Sequence, residues 1–455
     1  MHTGIKEYPH EFTSRLIDQL GETASHMLFE ALQSEKGTSI RVNPAKPFMS
    51  VDLYRKVEWC STGYYLPERP QFTLDPHFHA GAYYVQESSS MFLEEVFRQV
   101  AGDNRNLNIL DLCGAPGGKA THLASIAGPG SLVVTNEVVR QRAAVLAENI
   151  SKWGTGNVMV TSNDPARFSQ LPGFFDILVV DAPCSGEGMF RKNEVVNEWS
   201  LANTRLCSER QKRILIDSWD SLKGGGLLIY STCTFNPEEN ERNIGWLHDK
   251  KGAESVRLEI NPDWGIAEIE YRGIYGYGFY PGRVRGEGFF ITVCRKPDET
   301  GYKPAGSGRI KTNISGKDRS IAGEWTSADP SGLFRLDNLL IYSATGLNIL
   351  SILKSRLNIV KAGTAIATVK GSSYIPGHEL ALSTLLRREA FPVISVNLEE
   401  ALGYLRRETL SFNSDAPGWN LVDYEGSVAG FVKNIGSRFN NYYPQEWRIR
   451  LQHKI

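Results

Sequence analysis

The chain has 455 residues, 41% of them hydrophobic and 22% charged, enough for two or three domains and a sizeable core. A formal net charge of -1 argues against a uniformly basic, polyanion-coating protein. No run of about 18 apolar residues occurs, and His10, Glu11 and Arg15 interrupt any apolar stretch near the beginning, so neither a membrane span nor a secretory leader is expected.

The near-zero charge hides an asymmetry. From Ser331 onward there are 14 Lys and Arg against 10 Asp and Glu, whereas the preceding part has 36 against 41. Six basic residues lie between Lys296 and Arg319. Such a basic tail is a weak pointer to nucleic acid and is equally compatible with solvated surface charge. The six cysteines are Cys60, Cys113, Cys184, Cys207, Cys233 and Cys294. None forms a Cys-x-x-Cys pair, so no metal site is expected, and free thiols in a reducing, cytoplasmic compartment are.

In chain order, residues 11–36 have helical apolar spacing (Leu16, Ile17, Leu20, Met27, Leu28, Ala31, Leu32), "SIRVNPAK" reads as a strand, and a helix is expected to begin near Ser88 to Ser90. From Asn108 the rhythm changes. The strands "LNILDL", "SLVVTNE", "NVMVTSND", "FDILVVDAP" and "LLIYSTCT" alternate with helical segments such as "VVRQRAAVLAENISKWG" and "LCSERQKRILIDSWDSLKGGG", the latter with a Gly-rich stop. A further helix is expected to open at Asn236 as cap, with Pro237 in its first position and Glu239 three beyond the cap. This alternation predicts an α/β fold with a mostly parallel sheet covered on both faces. "FYPGR" and "GFFITVCRK" are expected to complete the sheet. "KPDETGYKPAGSGRIKTNISGKDRSIAGEW" lacks periodicity and reads as a linker. Beyond it, short strands and helical pieces such as "NLEEALGYLRRE" predict small α+β units. The expected domains are 1–95, 96–297 and 331–455, with 298–330 as linker.

Polar residues fall at the carboxyl ends of the strands, where open parallel sheets bind ligands. "DLCGAPGGKA" follows the first; Gly114, Gly117 and Gly118 let backbone approach a ligand closely. Glu137, Asp164 and Asp181 end the next three. The loop lacks the full G-x-G-x-x-G pattern. It also departs from the phosphate loop, with Cys113 in place of the first glycine and Ala120 in place of the Ser/Thr. What fits is a nucleoside without pyrophosphate, held by acids and backbone: S-adenosylmethionine, whose sulfonium and amine suit carboxylates.

Cys184, in "DAPCSGEGMFR", and Cys233, in "LLIYSTCT", sit past neighbouring strand ends. A lone cysteine there is usually packing; two aimed at one pocket with a methyl donor suggest covalent catalysis. A thiolate adding to C6 of cytosine makes C5 able to attack the donor methyl, and a second thiol can assist release. Asp181 is placed to hold the N3/N4 edge of the base. A paired base is inaccessible to such attack, so the target must be unpaired or extruded.

At these motifs the sequence resembles the Sun-type RNA 5-methylcytosine methyltransferases, strongly from Arg41 to Lys296. The set "DLCGAPGGK", "DAPCSGEG" and "STCT" in this order is highly specific. Two departures stand out: Gly114 where the family usually has alanine, and Ala120 where it often has Ser/Thr. The resemblance implies a Rossmann-like methyltransferase core, Cys233 as nucleophile and Cys184 as the release-assisting cysteine. It assigns Cys113, Gly114, Ala115, Pro116, Gly117, Gly118, Lys119, Glu137, Asp164 and Asp181 to S-adenosylmethionine, with Lys119 and Asp181 also lining the reacting pocket. Within the family the layout is most similar to bacterial RsmF-type 16S ribosomal RNA methyltransferases, which implies an N-terminal RNA-binding-type domain, a PUA-like C-terminal fold, an RNA or small-subunit partner and a monomeric enzyme. Lys433, Arg438, Tyr442 and Tyr443 are the candidate RNA contacts there. The alternatives are transfer RNA as substrate or a non-catalytic ribosome assembly factor; a base-amino methyltransferase would need no nucleophile.

Overall fold

The computed structural model describes residues 8–35, 37–46, 54–102, 106–128, 130–298, 313–412 and 414–451. Residues 299–312, most of the first half of the expected linker, lie outside them.

The N-terminal part opens with two helices, His10–Leu20 and Glu22–Gln33. The single helical periodicity of residues 11–36 is broken at Gly21, whose φ of +79° and extended ψ end one helix and start the next. A four-stranded antiparallel sheet follows: β1 (Thr38–Val42), β2 (Arg55–Lys56), β3 (Gly63–Leu66) and β4 (Tyr83–Val85), in the order β2-β3-β1-β4.

The central sheet starts with β5 (Asn108–Asp111), β6 (Leu132–Asn136), β7 (Val158–Thr161), β8 (Phe175–Asp181) and β9 (Leu222–Thr232), all parallel. It continues with β10 (Glu254–Ser255), β11 (Ala267–Tyr271), β12 (Ile274–Phe279) and β13 (Phe289–Arg295), which are antiparallel. The parallel strands run β7-β6-β5-β8-β9 across the sheet. The order reverses between β5 and β8, which opens a crevice at their carboxyl ends. Val, Ile and Leu dominate these strands because helices cover both faces; Val133, Val179 and Ile229 enter one core cluster, Val134, Leu178 and Leu228 the other.

Several local expectations are corrected. The helix Leu201–Trp219 ends before the glycine run, and Gly225, at φ +71°, instead sits inside β9, near the point where its register with β8 shifts. The helix after β9 begins at Glu241, not Pro237. Asn236 accepts from the Glu238 N–H in a local turn, and Glu239 is drawn away to bond Ser185, so neither serves as a cap.

Past the linker region, β14 (Leu333–Leu336), β15 (Leu339–Tyr342), β17 (Thr364–Lys370) and β18 (Ser373–Pro376) form an antiparallel sheet. Between them in the chain, β16 (Ile359–Lys361) leaves this sheet and pairs with β7 of the central one. A last sheet holds β19 (Val393–Ser395), β20 (Gly418–Tyr424), β21 (Ser427–Asn434) and β22 (Phe439–Asn441). One expectation fails here: the end of the expected linker is a helix, Gly316–Trp325, with a Ser315/Asp318 capping box and with Ala322 and Trp325 buried. Phe334, Ile341, Leu350, Leu353 and Leu357 of the tail pack into the same core cluster as Leu178 and Leu228. Among the described residues no helix is long and apolar enough to cross a membrane.

Candidate active site

At the β5/β8 crevice the loop after β5 turns tightly under the next strand. Gly114 donates its N–H to the Asn136 carbonyl at 2.8 Å, and a Cβ at this position would stand 1.9 Å from Thr135 Oγ1 and 2.8 Å from Asp111 Oδ2. Thr135 Oγ1 is fixed by a 3.1 Å bond to Asp111. The departure from alanine at this position therefore has a local cause: Thr135 fills the space a methyl would need.

Seven of the expected donor-site residues meet in one cavity of about 190 Å³: Cys113, Gly114, Ala115, Pro116, Gly118, Lys119 and Asp181. Its opposite wall is Tyr84 to Glu87 of the N-terminal part, which the sequence reading did not place there. Gly117 stands beside this wall at φ +121°, opening the helix that carries Lys119. Glu137 and Asp164 are not among the cavity's lining residues. Glu137 is buried, accepting from its own Val139 N–H at 2.9 Å and pairing with Arg142 at 3.2 Å. Arg142 also donates to the Ala115 carbonyl at 3.0 Å, tying the glycine loop to the end of β6. Asp164 is exposed at the end of β7 and caps a turn through the Ala166 N–H at 3.0 Å.

Asp111, unremarked in the sequence reading, lies wholly buried beneath the loop. Burial pushes its carboxyl up to about 7, with Asp181 adding to the rise and the Thr135 hydrogen bond opposing it. Its Oδ1 has no hydrogen-bond partner among the described residues. This carboxyl, Asp181 at the cavity wall and an unobstructed backbone suit a cationic nucleoside, so the residues present fit S-adenosylmethionine.

Asp181 links this side to the sulfurs. Lys119 Nζ is 2.8 Å from Asp181 Oδ2 and 5.0 Å from the centre of the Phe289 ring. Ser231, two residues before Cys233, donates to Asp181 Oδ1 at 2.8 Å. Because β8 and β9 are parallel neighbours, Cys184 and Cys233 emerge at the same edge, their sulfurs 3.1 Å apart. The Cys233 N–H also donates to Cys184 Sγ at 3.3 Å. The hydrogen bond to Cys233, followed by burial, pushes the Cys184 thiol well up. The pair therefore keeps a proton on Cys184, where it can be shared with the neighbouring sulfur.

Behind the sulfurs lies a buried polar network. Glu239 accepts from Ser185 through both oxygens, from its N–H at 2.9 Å and its hydroxyl at 2.5 Å, and from Gln211 at 3.0 Å. Ser185 Oγ also meets Thr234 Oγ1 at 2.9 Å, and the Gly188 N–H donates to the Cys233 carbonyl at 2.9 Å. Glu187, fully buried, accepts from the Phe235 N–H and the Trp199 ring N–H. Side-chain spacing held no signal for this network, since its partners lie far apart in the chain.

Comparison with known proteins follows the same division of the chain. Residues 100–295 match the family model for the 16S rRNA methyltransferase RsmB/F. Residues 8–88 match the N-terminal domain of 16S rRNA methyltransferase RsmF, and residues 391–449 the methyltransferase RsmF PUA domain. The chain belongs to the RsmB/F methyltransferase family. Its relatives include ribosomal RNA small subunit methyltransferase F of Enterobacter sp. (strain 638), 29% identical over 96% of this chain and 95% of that protein. The protein of the same name from Salmonella typhi is 28% identical over 96% of each. Among solved structures, a methyltransferase homolog protein from Pyrococcus horikoshii is 29% identical, with a TM-score of 0.53, covering 64% of this chain and 95% of that one. NSun6 from Pyrococcus horikoshii with SFG, 19% identical with a TM-score of 0.54, covers 64% of this chain and 99% of that one and shares the fold. The RsmB/F assignment makes this chain a methyltransferase that draws on S-adenosylmethionine.

Two side-chain groups outside the cleft bear on the earlier reading. Cys60, Glu94 and His122 bring three donor atoms within 4.8 Å of one another. Cys60 and His122 both approach Glu94 Oε2, at 3.1 and 3.0 Å, so the cluster ties the N-terminal part to the helix carrying Lys119 through hydrogen bonds. In the PUA-matching region, Tyr443 is buried at 1% exposure against Tyr404, His378 and Trp447, which corrects its expected RNA contact. Tyr442 is exposed with its ring 4.4 Å from Trp419, whose face also receives Lys433 at 5.4 Å; Arg438 is exposed.

Proposed function

We propose that this enzyme methylates C5 of a cytosine in 16S ribosomal RNA through a covalent adduct on Cys233. The observation that carries the reading is the pair of sulfurs 3.1 Å apart, placed by parallel strand ends beside the Lys119–Asp181 pair at the donor cavity.

Bound S-adenosylmethionine supplies an electrophilic methyl group and leaves as a neutral thioether. Cys233 as thiolate adds to C6, and its electron pair makes C5 nucleophilic. Asp181 and Lys119 are placed to hold the polar edge of the base. The ring takes the methyl at C5. A proton then passes from C5 to solvent water, the C–H electrons re-form the C5–C6 double bond, and the sulfur–C6 bond breaks with its pair returning to Cys233. Cys184, kept protonated beside it, donates a hydrogen bond to the departing sulfur and so favours release. Glu137 and Asp164 are proposed donor contacts at the ends of β6 and β7. The ribosomal substrate is supported by the names of the full-length relatives, and RNA capture by the tail is assigned to Lys433, Arg438 and Tyr442.

Cys233→Ala abolishes methyl transfer to RNA and leaves donor binding intact; a variant that methylates at the normal rate overturns the adduct. Cys184→Ala accumulates a covalent RNA–protein complex, visible as a shifted band on a denaturing gel. Bisulfite sequencing of ribosomal and transfer RNA from cells with and without the protein identifies the substrate.

A further inference from the structure

We propose that Arg15, on the first N-terminal helix, and Glu187, in the loop after Cys184, form a positioning pair that holds the two thiols at their working separation. The role in catalysis rests on the adduct reading above; the effect on sulfur spacing does not.

The helix His10–Leu20 buries Phe12 and Leu16 against Phe190, Trp199, Phe235 and Tyr280. That contact lays Arg15 along the back of the cysteine loops. Its Nη2 is 2.7 Å from Glu187 Oε1, and its Nη1 donates to the Phe235 carbonyl at 3.4 Å. Gln19, one turn on, donates to the same carbonyl at 3.2 Å.

Glu187 is the hub. Its Oε1 also accepts from the Trp199 ring N–H at 3.0 Å, and its Oε2 accepts from the Phe235 backbone N–H at 3.2 Å. The next residue, Gly188, donates to the Cys233 carbonyl at 2.9 Å. One carboxylate therefore joins the segment carrying Cys184 to the segment carrying Cys233. Its side chain is 0% exposed, and a carboxylate taken out of water needs a paired partner to offset its desolvation. Arg15, from an element 172 positions away in the chain, is that partner.

Both oxygens of Glu187 are taken by protein donors, so it acts through the loops rather than on the substrate. The consequence is that the N-terminal helices complete the thiol side of the site in addition to any part they take in gripping RNA. Misplacing a reacting atom by about 1 Å can cost roughly 10²-fold in rate, which gives the pair a sizeable lever.

The test uses the full-length enzyme with saturating S-adenosylmethionine and an RNA fragment containing the target cytosine. Arg15→Ala and Glu187→Gln each lower the single-turnover rate constant at least about tenfold, while RNA KM and donor affinity stay within about twofold. Arg15→Lys recovers part of the rate. The double variant is no slower than the slower single, because both remove one tie. Arg15, 21% exposed on the side chain, is the variant least prone to unfold; donor binding and melting temperature check Glu187→Gln.

A second readout is independent of methylation. Diamide oxidises the two thiols to a disulfide and is itself reduced to the hydrazine, and mass spectrometry follows the bond between Cys184 and Cys233. Its formation is several-fold slower in Arg15→Ala. Wild-type methylation and disulfide rates in Arg15→Ala overturn the proposal, as do single-variant costs that multiply in the double variant. A raised RNA KM with an unchanged rate constant makes Arg15 an RNA contact and also overturns it. If Cys233→Ala methylates normally while Arg15→Ala still slows the disulfide, the adduct reading has failed and the positioning claim stands.

Discussion

The two sides of the cleft are built differently. The proposed donor side is mostly backbone: a glycine loop turned under β6, with Asp181 at its rim. The thiol side is mostly buried side chain: Glu187 and Glu239 clasp two loops that carry the sulfurs. A backbone wall tolerates variation in the residues that surround it. A clasp of paired polar groups fails when one partner is lost, since the other is left buried and unsatisfied. Damage to the thiol side is therefore expected to stop chemistry while leaving donor binding, and damage to the donor side the reverse.

Apart from the cysteines themselves, the largest effect is expected from Glu239→Ala. It orphans the Ser185 N–H and one Gln211 donor bond, at about 1–3 kcal/mol for each buried group. Single-turnover methyl transfer should fall about 100-fold with donor affinity, measured by calorimetry, within about threefold. An equal loss in both would mean that the two sides do not act separately.

This difference also explains what the sequence made legible. The parallel core, the glycine loop at its crevice and the meeting of both cysteines at one strand edge were readable because they follow from local patterns: apolar strand runs, glycines at a turn and polar residues at strand ends. The wall from Tyr84 to Glu87 was not, because it arrives from another sheet. Nor was the network, since Ser185 and Glu239 are 54 positions apart. The same blindness misplaced the helix start at Asn236, where capping rules were outcompeted by the tertiary bond that claims Glu239. Tyr443 looked like an RNA-facing aromatic by composition, and only packing reveals its burial.

On the donor side the sharpest probe is Gly114→Ala. The added methyl meets Thr135 Oγ1, and overpacking of this kind costs about 1–3 kcal/mol. Donor affinity should drop about tenfold, the Cys184–Cys233 oxidation rate should stay at the wild-type value, and Thr135→Ala should restore part of the binding by removing the closer clash, Asp111 Oδ2 at 2.8 Å remaining. Failure of that rescue would break the link between Gly114 and Thr135.

Titration distinguishes the sides less strongly, because each holds a buried carboxyl raised to about 7: Asp111 beneath the donor loop and Glu239 behind the sulfurs. Glu241, next along the chain, is raised to about 7 as well. Burial is the leading cause in all three. From the ordinary carboxylate range up to pH 7 the folded chain holds these protons more tightly than the unfolded chain, so stability falls as pH rises through that window. Scanning calorimetry from pH 5 to pH 7.5 should show the melting temperature dropping by about 2–8 °C, with a shallower slope in Glu239→Gln. A flat or rising wild-type profile would remove these groups as the cause.

The smallest effect belongs to the tail, which touches neither side of the cleft's chemistry. Deleting residues 331–455 is a poor probe, since it strips β16 from β7 and uncovers apolar core. Lys433→Ala and Arg438→Ala leave the packing alone: one side chain lies over the Trp419 ring and the other is exposed. If both meet phosphates, each should weaken RNA binding by about two- to fivefold and lower the salt slope by about 1. Donor affinity and the rate constant at saturating RNA should be unchanged. Tyr443→Phe, which removes only a buried hydroxyl without a hydrogen-bond partner among the described residues, should hold or slightly raise stability and leave the salt slope as it was. A slope that does not move with Lys433 or Arg438 would take phosphate contact away from this face of the PUA-matching sheet and place RNA capture elsewhere on the molecule.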